Sequence, residues 1–182
     1  MGARMSLPFP IPVIETDRLV LRGPRESDLP AMIAFGQSDR TRFIGGRQDS
    51  FGTWRIFLAG IGHWALRGYG MWSVDTRGGA FVGRVGVINH IGWPEPELGW
   101  HLYEGHEGKG YAYEAALAVR DHMQGKLGMG PLITMIDAEN LRSLSLVRRL
   151  GATLERVLEE GGRLIHIYRH PVEEDGGMEA YA

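Results

Sequence analysis

The chain of 182 residues contains no cysteine. Disulfides, thiolate metal sites and a covalent cysteinyl intermediate are excluded together, and a reducing cytoplasm is the expected compartment. No stretch approaches the roughly 18 apolar residues that a membrane span requires. The opening "MGARMSLPFPIP" carries one arginine and three prolines, so it lacks the continuous apolar core of a secretory signal. Gly2 and Ser6 match a myristoylation pattern formally, and in so short a motif the match is read as chance. Strong charge of one sign is missing too. The formal net charge is −2, and four acids (Glu173, Glu174, Asp175, Glu179) sit in the last twelve residues without a lysine or arginine. The body up to His170 is therefore about +2, too mild for a nucleic-acid binder.

Apolar residues make up 43% and charged residues 23% of the chain, the composition of a soluble globular protein. The length suits one domain, and no internal repeat or long linker interrupts it. Residues 1–12 read as a flexible lead-in, 13–170 as a single domain and 171–182 as an acidic tail.

Periodicity supplies the elements. "IETDRLVLRGP" alternates and predicts a strand near 17–23. In "RESDLPAMIAFG", Ser27 or Asp28 is placed to cap a short helix, with Pro30 tolerated in its first turn. "DSFGTWRIFLAGIGHWALRG" sets Trp54, Phe57, Leu58, Ile61 and Ala65 at helical spacing, interrupted by glycines. "YGMWSVDT", a "RGG" turn and "AFVGRVGVINHIG" predict a hairpin, and "PELGWHLY" a further strand ending at Glu104 or Gly105. Tyr111 to Gln124 predicts a helix with Ala112, Ala116, Val119 and Met123 on one face. "LITMID" is a continuous apolar strand of the kind buried on both faces. "AENLRSLSLVRRLGA" predicts a helix capped by Asn140, with Leu144, Val147 and Leu150 inward and Gly151 as its stop. A hairpin turned at Gly161–Gly162 closes the pattern. The sum is an α+β fold on a mixed sheet.

The junction "HLYEGHEGKGYAYEA" crowds glycines where a strand ends and a helix begins. Free N–H groups at a helix start attract anions, and glycines let a phosphate approach the backbone. Gly108, Gly110, Tyr111 and Ala112 are candidates to cradle a pyrophosphate, with Lys109 beside them; a mere chain turn explains the glycines equally well. Two phosphate loops are excluded. A Walker loop needs glycine where Tyr103 stands and Ser or Thr where Gly110 stands, and a G-x-G-x-x-G loop fails at Tyr113.

"EGKGYAYEA" resembles the acyl-CoA pyrophosphate loop of the GNAT N-acetyltransferases, Q/R-x-x-G-x-G/A, over Glu107, Gly108, Lys109, Gly110, Tyr111 and Ala112. Glu107 departs from the pattern, since a carboxylate facing inward would repel the pyrophosphate. "ETDRLVLRGPRESDLPAM", "ELGWHLYEGHEGKGYAYEA" and "IDAENLRSLSLVRRLGA" resemble, in order, blocks of the RimJ/RimL-like branch, which acetylates protein N-termini. Together they cover roughly residues 15–170.

The resemblance implies a mostly antiparallel, twisted sheet with two splayed parallel strands, "LGWHLY" and "LITMID", and acetyl-CoA between them. The pantetheine arm would pair with backbone near His101, Leu102 and Tyr103. It implies Glu97 as a base, weighed against a plain strand-end glutamate, and Ser143 of the N-x-x-S pattern at the thiol, with Asn140 as both cap and CoA contact. His101 and Tyr103 read more readily as structural, and Glu114 as a cap. Trp93, and Arg42 with Arg47, are candidates for the acceptor side. With no cysteine for an acetyl-enzyme, direct transfer to a primary amine is expected. A protein or peptide N-terminus leads as acceptor; a small amine and a non-catalytic acyl-CoA-binding module are the alternatives. No metal is implied. Acetyl-CoA and the amine are the expected partners, and a second copy of the chain is admitted.

Overall fold

The computed structural model of the protein describes residues 9–172. Residues 1–8 of the expected lead-in and 173–182 of the expected tail lie outside them. The described part of the lead-in is not loose: Phe9 and Ile11 pack on the core, and the Pro12 carbonyl accepts the indole N–H of fully buried Trp72 at 2.7 Å.

One eight-stranded mixed sheet runs in the order β1-β2-β3-β4-β5-β6-β8-β7. The strands β1 (Ile14–Glu15), β2 (Leu19–Arg22), β3 (Met71–Thr76), β4 (Phe81–Ile88) and β5 (Glu97–Leu102) form an antiparallel meander. β6 (Ile133–Asp137) lies parallel to β5, while β7 (Thr153–Glu160) and β8 (Arg163–Arg169) are an antiparallel hairpin whose second strand pairs with β6. One residue pair, Glu97 opposite Ile133, joins β5 to β6. Beyond it the two strands part, as the splayed pair requires.

The helices are α1 (Leu29–Gly36), α2 (Ser50–Arg67), α3 (Tyr111–Leu127) and α4 (Leu141–Arg149). Ala115, Ala116, Val119 and Met123 of α3 are buried against Trp72, Val85 and Leu98 of the sheet. α4 buries Leu144 and Val147 against Ile136 and Tyr168. On the opposite face, Met32 of α1 and Phe57 of α2 pack on Tyr103. Each of these large side chains contributes about 1.5–3 kcal/mol by leaving water.

Several local expectations need revision. The face of α2 that is buried carries Thr53, Phe57, His63 and Trp64; Trp54 and Leu58 are exposed. The internal glycines do not break the helix, which runs unbroken from Ser50 to Arg67, and one of them, Gly60, faces the Arg84 guanidinium, which a Cβ would meet at 3.2 Å. Asp28 makes no side-chain cap for α1. Its carboxylate is buried instead, accepting the Arg25 N–H, the Ser73 hydroxyl at 2.7 Å and two bonds from Arg22 at 2.8 and 2.9 Å. Burial pushes the Asp28 carboxyl up, but the hydrogen bonds from Arg22, Arg25 and Ser73 outweigh it and hold it below its usual value. β5 ends at Leu102, although the Tyr103 N–H still bonds the Val82 carbonyl. α3 continues to Leu127, beyond the expected Gln124.

Candidate active site

The parting of β5 and β6 leaves a strand edge without a neighbour. The Tyr103 N–H bonds β4 through Val82, and the Leu98 carbonyl, facing the other way, accepts the Thr134 hydroxyl of β6 at 2.8 Å. Backbone groups of a strand alternate in direction. Hence odd-numbered residues of β5 bond β4, while Trp100 and Leu102 turn their N–H and C=O groups toward the gap. This corrects the expected backbone role of His101 and Tyr103: His101 pairs with β4, and Tyr103 gives its N–H to the Val82 carbonyl while its own carbonyl accepts the His106 N–H.

Below the gap begins α3. Its first residue follows Gly110, which stands in the left-handed region at φ 80°, as Gly108 does at φ 73°. No side chain caps the helix, and its first internal bond runs from the Glu114 N–H to the Gly110 carbonyl. The N–H groups of Tyr111, Ala112 and Tyr113 therefore precede the internal ladder and point out of the helix start. This end is fixed from behind. Glu114 accepts the Thr16 hydroxyl at 2.6 Å and the Arg18 Nε–H at 2.6 Å, and Arg18 also donates to the Lys109 carbonyl. Burial pushes the Glu114 carboxyl up, and these bonds win and hold it below its usual value. Glu114 is thus an anchor for the loop.

A cleft of about 1260 Å³ joins these parts. Of the residues expected to bind the cofactor, it is lined by His101, Leu102, Glu107, Gly108, Gly110, Tyr111, Ala112, Asn140 and Ser143. Lys109 does not line it; its ammonium donates to the Gly105 carbonyl at 2.8 Å. Tyr103 lies behind it, against Phe35 and Phe81. Asn140 caps α4 through a bond from the Ser143 N–H at 3.3 Å. Glu107 does not confront the cleft as a bare charge, for it pairs with Arg40 and Arg142. Four arginines (Arg40, Arg42, Arg142, Arg149) against Asp39, Glu107 and Glu139 leave the lining net positive. Arg47 pairs with Asp39.

Glu97 is not brought to the cleft. One carboxylate oxygen accepts the Met135 N–H at 3.0 Å and the other the Trp93 indole N–H, so the side chain pins β5 to β6. Burial pushes its carboxyl up against the pull of both bonds. Trp93 is engaged there and on the His90 ring rather than in an acceptor pocket. His101 is stacked on Phe35, and burial, with the Arg84 charge adding to it, pushes the imidazole down to about 3. At neutral pH it is an uncharged ring.

Four residues of the site escape a reading by motif. Trp100 donates its indole N–H to the Ser143 hydroxyl oxygen at 3.2 Å. Arg40 and Arg142 reach Glu107 from distant segments. Arg84 interrupts the apolar strand "FVGRVGVI", and a charge at such a position is itself a signal of a buried polar site.

A family model described as an acetyltransferase (GNAT) domain matches residues 18–153. An uncharacterized protein of Bacillus subtilis strain 168, YkkB, is 27% identical over 163 residues, covering 84% of this chain and 92% of its own. Among solved structures, an acetyltransferase from Agrobacterium tumefaciens strain C58 is 36% identical with a TM-score of 0.83, covering 93% of this chain and 100% of that one. The structure of RimL, a ribosomal alpha-N-protein acetyltransferase in complex with coenzyme A, shares the fold at 19% identity and a TM-score of 0.75, over 88% of this chain and 98% of that one.

Proposed function

Because the chain belongs to the GNAT acetyltransferase family, whose members are acyl-CoA-dependent transferases, we propose that it moves an acetyl group from acetyl-CoA directly onto a primary amine. The supporting observation is that one cleft holds both the uncapped start of α3 and the open edge of β5. The helix start suits a pyrophosphate, and the strand edge suits the amides of a pantetheine arm.

The residues divide the work as follows. Tyr111, Ala112 and Tyr113 offer N–H groups to the pyrophosphate, and Arg40 and Arg142 offset Glu107 beside it. Trp100 and Leu102 offer the backbone groups that align the acyl arm, and a strand N–H there stabilises the oxyanion of the tetrahedral intermediate. The amine attacks as the free base, the C–S bond breaks, and the proton lost by the nitrogen ends on the CoA sulfur. An α-amine with a pKa of about 7.7–8.0 needs only water to be deprotonated. Ser143 is the donor to the leaving sulfur. Residues 13–170 act as the catalytic domain, in the cytoplasm.

The N-terminal amine of a peptide matches the acceptor of RimL, the ribosomal alpha-N-protein acetyltransferase with which this chain shares the fold. A small amine is favoured by a chamber of about 100 Å³ behind His101, closed by α1 and α2. Calorimetry with acetyl-CoA, followed by thiol release with a panel of peptides and small amines, tests the reading. Tight CoA binding without thiol release from any amine would make the protein a CoA-binding module, and absence of CoA binding would remove the reading altogether.

A further inference from the structure

A row of polar side chains crosses the sheet beneath α1 and α2. Arg22 lies opposite Ser73, Ser73 opposite Arg84, and Arg84 opposite His101. The first members satisfy one another: Arg22 forks onto Asp28 and Asp75, and Ser73 donates to Asp28. Arg84 is different. It is 6% exposed, yet no carboxylate pairs with it among the described residues, and its Nε has no hydrogen-bond partner. Asp28 attracts it through space only, being occupied by Arg22 and Ser73.

Arg84 lines the small chamber behind His101, together with Tyr103, Thr53 and Gln48. The Thr53 hydroxyl is also buried without a partner. Phe35, Ile44 and His101 line both this chamber and the main cleft, so the two meet beside the imidazole. A guanidinium stays charged in a protein, and an uncompensated buried charge destabilises the fold. Departures of this kind are expected at functional sites, and an anion would complete this one. The other groups facing it, Tyr103 and His101, are neutral: burial pushes the Tyr103 phenol up against the opposing pull of Arg84, and His101 is uncharged.

We propose that Arg84 receives a carboxylate of the acceptor, so that the acceptor is a small, amino-acid-like amine. This rests on the acetyl-transfer reading for the amine's fate. The guanidinium fork matches a carboxylate in two parallel bonds, and the Thr53 hydroxyl adds a donor. With the carboxylate at Arg84, the amine lies toward His101 and the open edge of β5. An amide in the same place would leave the buried charge unpaired, so the site rejects it.

The test compares free amino acids with their carboxamides as acceptors at saturating acetyl-CoA. The expected result is a kcat/KM at least roughly a hundredfold higher for the acids, a discrimination that Arg84→Met abolishes and Arg84→Lys partly retains. Calorimetric CoA affinity checks that each variant is folded. Independently of turnover, millimolar acetate should raise the Tm of the wild-type protein and not that of Arg84→Met. Equal rates for acids and carboxamides would overturn the proposal. If no amine releases thiol, the transfer reading falls, and the acetate shift alone decides: its presence in the wild type and loss in Arg84→Met upholds the anion site, its absence from the wild type removes it.

Discussion

Trp100 holds Ser143 by an indole N–H bond of 3.2 Å that joins β5 to α4 at the cleft. An indole only donates, so the Ser143 oxygen is the acceptor and its own proton remains free to reach a leaving sulfur. Ser143→Ala is expected to lower kcat by about ten- to a hundredfold while leaving the KM for acetyl-CoA within a few fold. Trp100→Phe, which keeps the ring and deletes the N–H, should show a smaller loss of the same kind. Steady-state kinetics at varied acetyl-CoA measures both.

The start of α3 depends on a backbone that side chains resist. Gly110→Ala introduces a Cβ at φ 80° and 3.2 Å from the Arg18 guanidinium. The left-handed conformation costs about 1–2 kcal/mol. The variant should melt roughly 2–8 °C lower and bind CoA more weakly, by scanning calorimetry and titration.

Glu107 carries the charge that the family pattern lacks, and Arg40 and Arg142 hold it. Glu107→Gln frees both guanidinium groups for the pyrophosphate and removes a repulsion. CoA affinity should rise by about fivefold, the equivalent of roughly 1 kcal/mol for a partly exposed charge. Arg40→Ala should lower it, and the gain in Glu107→Gln should shrink in high salt. Titration at two ionic strengths reads the difference.

Acid should unfold the protein early. His170 is fully buried and its hydrogen bond sets its tautomer: Thr134 gives its one proton to the Leu98 carbonyl, so His170 Nε2 must donate to the Thr134 oxygen. Burial, reinforced by the Arg120 charge, pushes the imidazole down to about 4. The unfolded chain takes up the proton near pH 6.5, while the folded chain waits until about 4. The stability His170 provides is therefore complete above pH 6.5 and drains away down to about pH 4, by up to about 1.4 kcal/mol per pH unit. His90, His101 and His122 are shifted in the same direction, and Glu97, raised by burial, acts against them. Urea midpoints should fall steadily over this range, with a shallower slope in His170→Gln.

Two arginines of one cross-strand row should respond oppositely to the same change. Arg22→Met strands Asp28 and Asp75 beneath α1, and breaking a buried pair of this kind costs about 3–5 kcal/mol. Arg84→Met removes a charge that has no carboxylate partner and should raise the melting temperature. Thermal unfolding of the two variants side by side checks the contrast.

What the residue order revealed was mostly local. Asn140, three positions before Ser143, caps its helix, and Gly161–Gly162 turns its hairpin, because each needs only neighbours in sequence. The loop at Gly108 and Gly110 was readable for the same reason. The buried face of α2 does not follow from spacing alone, since Trp54 and Leu58 share the helical spacing yet look outward. At Glu97, a strand-end carboxylate does not disclose that Met135, far along the chain, will claim it. The Arg40–Glu107 and Trp100–Ser143 contacts likewise join segments that meet only when the sheet has closed.

The sheet order carries a consequence for assembly. β6 is followed in the chain by α4 and β7, but its antiparallel partner is β8, from Arg163 to Arg169. Until that last strand arrives, β6 has one residue pair to β5 and a bare edge on its other side. Such a late, non-local pairing slows folding, and an unpaired apolar edge invites association with other chains. A nascent chain that has exposed β6 but not yet β8 is at its most vulnerable. The closing hairpin therefore covers the outer edge of β6, the strand that walls one side of the gap beside β5.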